Sequence, residues 1–146
     1  MLSQIRHKSF PVDRILSSGL PKNLSNLLAI LASTFLAGNP NCDVKINGCT
    51  ADIYVLRLVN HLGFKVSEAR LIYWFELNRD TISGMLNSDE FKSWYYDILK
   101  SLDHVIDKRS VLDTMHQISN LNTGKSVNVQ ALIALTERYW SHQSLN

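Results

Sequence analysis

The chain has 146 residues, of which 45% are hydrophobic and 19% charged, a length and balance that suit one globular domain and exclude extended disorder or a fibrous repeat. Fifteen Lys and Arg against thirteen Asp and Glu leave a formal charge of +2, too little for net charge alone to draw a polyanion. Two cysteines, Cys42 and Cys49, with no secretory leader ahead of them, favour free thiols in a cytoplasmic protein over a disulfide scaffold.

Residues 1–22, punctuated by Pro11, Gly19 and Pro21, read as an N-terminal arm with one short helix from Val12 to about Ser18. Residues 23–146 read as a single helical domain. From Asn23 the apolar positions Leu24, Leu27, Leu28, Leu31 and Phe35 recur at threes and fours, which predicts one apolar helix face ending near Gly38. The run Leu27 to Ala37 is broken by Ser33 and Thr34 and falls short of the ~20 residues that cross a bilayer, so a core helix and no membrane association are expected. Cys42 to Gly48 reads as a loop closing on an Asn-Gly turn.

Thr50 is placed to cap a helix carrying Ile53, Leu56, Val59 and Leu62, with Gly63 just beyond its end. Ser67 caps the next, whose centre, Leu71 to Phe75, is apolar almost all round and is expected to be the most buried element. After a short break Asn78 is expected to cap a further helix reaching about Leu86. Ser88 starts another that carries Phe91, Trp94, Tyr95, Ile98, Leu99, Leu102, Val105 and Ile106. The tail predicts helices over Ser110 to Ile118 and Val127 to Trp140, separated by a polar loop. The fold expected is all-α: a single compact domain of six or seven helices with a central helix-turn-helix-like unit over residues 67–87.

Chemistry is conspicuous by omission. Asn122-Thr-Gly-Lys-Ser126 lacks the leading glycine and strand of a phosphate-binding loop, and the five histidines form no metal-ligand spacing. Asp103-His104 and Asp113 with His116 have no nucleophile beside them. No catalytic residue, metal site or cofactor is expected, and the chain is read as a non-enzyme.

The informative stretch is Ser67 to Leu86. A helix-turn-helix needs apolar residues at fixed offsets in both helices and the turn, and Leu71, Phe75, Leu77, Ile82 and Met85 meet them. On that reading Arg79, Asp80, Thr81 and Ser83 face a DNA groove, Asn78 caps the reading helix, and Arg70 and Lys65 belong to the same DNA-binding set, offsetting nearby carboxylates where they share its face. The string Phe75-Glu-Leu-Asn78-Arg79-Asp80-Thr81-Ile82, following the helix that begins near Asp52, resembles the C-terminal DNA-binding domain of the bacterial replication initiator DnaA and its short relatives. The family's pattern is Phe, Gly, Arg, Asp, Arg, Thr, Thr, Val. The resemblance implies that Arg79 and Thr81 contact bases or phosphates and that Asn78 caps the helix or reads a base; Glu76 stands where the family has glycine.

Two functions are therefore expected. The first is a small DNA-binding regulator of transcription or replication, reading duplex DNA with the helix 79–86, as a homodimer if it reads two half-sites. The alternative is a protein-interaction module, an adaptor, effector or immunity-type protein, gripping a protein partner through Tyr96, Tyr139 and Trp140. Trp74 and Trp94 are assigned to the core.

Overall fold

The computed structural model describes residues 20–38, 51–121 and 127–144. Its six helices are α1 (Lys22–Gly38), α2 (Ala51–His61), α3 (Glu68–Leu86), α4 (Phe91–Ser101), α5 (Lys108–Leu121) and α6 (Val127–Ser144). The expectations for the arm at 1–19, for Cys42 and Cys49, and for the loop at 122–126 lie outside the described residues. No helix among the described residues is long and apolar enough to cross a membrane.

The organising element is α1. Beyond Lys22 this helix carries no charge, and every residue from Leu24 to Leu36 is buried. A helix that is apolar all round can be satisfied only inside other helices, and α1 accordingly touches each of the other five. Its buried polar groups are partly satisfied from within: Thr34 Oγ1 donates to the Ile30 carbonyl at 2.9 Å, and Asn26 Nδ2 donates to Ser101 Oγ of α4 at 3.0 Å. The expectation that the helix after Ser67 is the most buried is therefore corrected. In α3 only one stripe is buried, and Tyr73, at the centre of its apolar run, is 59% exposed.

Around α1 the chain folds largely by local signals. Gly63, with φ +100°, ends α2; its N–H bonds the Asn60 carbonyl and that of Phe64 bonds the Val59 carbonyl, the paired closure of a Schellman motif. Ser67 caps α3 as expected, its Oγ accepting from the Arg70 N–H at 3.3 Å. Asp107 caps α5, accepting from the Arg109 N–H at 3.2 Å and from the Ser110 hydroxyl at 2.7 Å. These bonds, that from Ser110 foremost, hold the Asp107 carboxyl below its ordinary range. The helix expected from Ser88 to Ile106 is shorter: α4 stops at Ser101, and residues 102–106 form a turn.

α4 and α6 pack side by side in parallel, because Tyr95 meets Thr136 and, one turn on in both helices, Leu99 meets Trp140. Thr136 spends its proton on the Leu132 carbonyl at 2.8 Å, so Tyr95 is the donor in the 2.9 Å hydroxyl pair. Full burial drives the Tyr95 phenol well above its ordinary pKa. The consequence for stability is on the alkaline side. Between pH 10 and the raised folded pKa, the unfolded chain gives up this proton while the native chain keeps it, so stability present below pH 10 falls as pH rises. Tyr95→Phe is expected to cost about 0.5–1.5 kcal/mol at neutral pH and to flatten the alkaline decline, checked by urea denaturation at a series of pH values.

Candidate interaction surface

The residues expected to read DNA are not presented by two crossed helices. Residues 68–86 form one unbroken helix, and the turn expected around Glu76 to Asn78 is absent. The cause is local. Glu76 and Leu77 are strong helix formers standing where a turn needs glycine. Asn78, 1% exposed, does not cap a second helix: its Nδ2 bonds back to the Trp74 carbonyl at 3.0 Å, which leaves the helical ladder intact.

The outward residues of α3 are correspondingly scattered. Arg70 and Arg79 are nine residues apart, about two and a half helical turns, so they emerge on opposite sides of the helix. Between them, the stripe facing solvent is Ala69, Tyr73, Glu76, Asp80 and Gly84, all exposed. Arg79 lies beside the fully exposed Asp80, at 3.7 Å from Nε to Oδ1. Thr81 and Ser83 are half-buried, and Lys65 is exposed on the linker before Ser67. The centre of this face is thus acidic, which repels a phosphate backbone.

The aromatic candidates divide differently. Trp74 and Trp94 are core residues, as expected. Trp140, expected at a partner surface, is 2% exposed, and its Nε1 donates to the Leu99 carbonyl at 3.3 Å; it locks α6 to α4 and is not an anchor for a partner. Tyr96 and Tyr139, by contrast, come together at the surface of that same seam. Their rings stack with centroids 4.8 Å apart and planes at 26°, both half-buried, and Lys92 Nζ sits 5.7 Å from the Tyr96 ring centre. Burial raises the Tyr139 phenol pKa, helped by the carboxylates of Asp103 and Asp97.

The acid-base pairings suggested by sequence proximity resolve into polar contacts near the surface. Asp103 pairs with Lys108 and with the 92%-exposed His104. His116 meets Glu137 of α6 at 3.3 Å instead of Asp113. Among the described residues no group of His, Cys, Asp and Glu could hold a metal ion. Two clefts flank α1. One lies at its C-terminal end against Ser83, Phe91 and Leu132, the other near its N-terminal half against Phe64, Ile106 and Val111.

No family model, curated relative or solved structure matches the chain. The resemblance to the DnaA domain therefore rests on the residue string alone. Sequence reading missed the Lys92–Tyr96–Tyr139 arrangement as a unit. The i, i+4 spacing of Lys92 and Tyr96 was available, but nothing in the spacing places Tyr139, more than forty residues later, beside them.

Proposed function

We propose that this chain is a non-catalytic protein-interaction module whose contact face is the α4–α6 surface centred on Tyr96 and Tyr139. One observation supports this above the rest: two tyrosine rings from different helices are stacked and still partly open to solvent. Tyrosine is among the residue types that dominate binding energy at interfaces. Here the pair is held by a parallel seam pinned at Tyr95–Thr136 and Leu99–Trp140, so docking costs little side-chain entropy. Lys92, Asp97 and Asp103 around the rings supply a polar rim of both signs.

The alternative, groove reading by Arg79 and Thr81, is supported by their string resemblance and by the exposure of Lys65, Arg70 and Arg79. The unbroken α3 and its acidic centre give it no support. The two readings separate in one experiment. Immobilised full-length chain is used to recover partners from the source cell extract and, in parallel, is titrated with duplex DNA at low and high salt. The Tyr96→Ala, Tyr139→Ala double variant is expected to lose a recovered protein by roughly 30-fold or more, the scale of an aromatic hot spot, while Tyr73→Ala, exposed on α3, retains it. Equal recovery by all three proteins contradicts the proposal. Steeply salt-dependent duplex binding that Arg79→Ala weakens by about 1–3 kcal/mol favours the DNA reading instead.

A further inference from the structure

Two faces of the molecule carry accessible tyrosine among charges of opposite sign. On α3 the solvent stripe holds Tyr73, 59% exposed and one of two large apolar side chains that stand open among the described residues. Glu76 and Asp80 follow it at three and seven residues, so they share its side of the helix, and both are exposed. No cation stands on that stripe. Arg79 reaches Asp80 from the flank at 3.7 Å, and a pair so open to water holds its carboxylate only weakly.

The α4–α6 seam has the other sign. Lys92 and Lys100 stand one helical turn before and after Tyr96, and Arg138 precedes Tyr139; all three are exposed. Lys92 lies near the Tyr96 ring, and none of the three is ion-paired among the described residues. Of the carboxylates nearby, Glu137 is turned to His116 of α5 and Asp103 is bonded to Lys108. Asp97 is left against three cations. At the rise of an α-helix, Tyr73 to Asp80 spans about 10 Å and Lys92 to Lys100 about 12 Å, so the two stripes match in length.

Both faces are available on one chain at the same time. α3 packs along α1 and α2, whereas α4 and α6 pack along α1 and along each other. With a formal charge of only +2, copies of the chain repel one another little. We propose that the α3 stripe of one copy docks on the Tyr96–Tyr139 face of a second, with Tyr73 against the stacked rings and Glu76 and Asp80 against Lys92, Lys100 and Arg138. The contact rests on the proposed function of that face and makes its occupant another copy of this chain. Ring against ring supplies the apolar part, and the opposed charges fix which face meets which. Because two different patches join, the contact is heterologous: each copy keeps one face unused, and assembly runs on into a ring or an open chain.

Sedimentation velocity of the full-length chain, from micromolar to millimolar concentration at low and high salt, tests this. The average mass is expected to rise with concentration and to fall back toward monomer at high salt. Asp80→Lys and Lys100→Glu each alter an exposed side chain, and each is expected to weaken association by about tenfold or more by setting like charges together. An equal mixture of the two is expected to regain it, since Asp80 of one variant then meets Lys100 of the other. The Tyr96→Ala, Tyr139→Ala double variant is expected to stay monomeric. A chain that is monomeric throughout overturns the proposal, as does association that both charge variants leave unchanged, or a mixture no better than its components. If association fails while the double tyrosine variant still loses a protein recovered from the extract, the face is a contact surface with a different occupant. If that loss is absent as well, the proposed function of the face falls with the proposal.

Discussion

Phe35→Ala is expected to destabilise the protein by about 3–5 kcal/mol, a large fraction of the roughly 5–15 kcal/mol that holds a domain together. Phe35 is fully buried in α1, and α1 is enclosed by all five other helices. A surface helix can slide inward to fill part of the volume lost with the ring; a central helix cannot close on one neighbour without opening a gap against another, so the cavity stays. The check is urea denaturation: the midpoint falls while the denaturant slope holds, the mark of lost stability without a changed unfolded state. Tyr73→Ala in α3 provides the contrast. With 59% of that residue exposed, the change is expected within about 0.5 kcal/mol. The reverse ranking would place the core on α3, where the apolar run of the sequence suggested it.

Leu77→Pro is expected to cost about 3 kcal/mol or more. Residue 77 lies in the middle of the 19-residue helix α3, where proline removes a ladder hydrogen bond and pushes its ring against the carbonyl of Tyr73. The companion change Glu76→Gly distinguishes the two architectures by sign. In a continuous helix it costs about 1 kcal/mol against a good helix former. In a helix-turn-helix with a left-handed residue at that point it relieves strain and stabilises. Thermal or urea unfolding of the two variants reads both effects.

Much of the fold could be read from the chain because its helices announce their ends. Ser67 and Gly63 were identified as a cap and a stop, and they act as such. The helix after Asn23 was placed within a residue of where it starts. Its centrality was hidden, since Ser25, Asn26, Ser33 and Thr34 are types that ordinarily face water, yet here all are fully buried. The turn near Asn78 was misread for a related reason. The buried residues Leu71, Phe75, Asn78, Ile82 and Met85 advance by four, three, four and three, a single stripe with no change of phase. Because one member is a polar Asn, the stripe looked like two shorter ones joined by a capped turn.

The candidate surface was half visible. Tyr96 stood off the apolar stripe of α4, and that was enough to mark it as available to a partner. Trp140 was named with it, but Val129, Leu132, Ile133, Thr136 and Trp140, all buried, repeat at threes and fours, so Trp140 continues the inward face of α6. Tyr139, one residue earlier, turns toward the edge and meets Tyr96. The pairing itself is a tertiary fact, fixed by the parallel register of α4 and α6.

The continuity of α3 decides between the architectures, and backbone amide hydrogen exchange across residues 74–82 measures it directly. A single helix predicts that the N–H groups of Asn78, Arg79, Asp80 and Thr81 are protected to the same degree as those of Trp74, Phe75 and Ile82. Fast exchange confined to those four amides, the unpaired donors at the start of a second helix, would contradict the account and return Arg79 to the head of a separate reading helix.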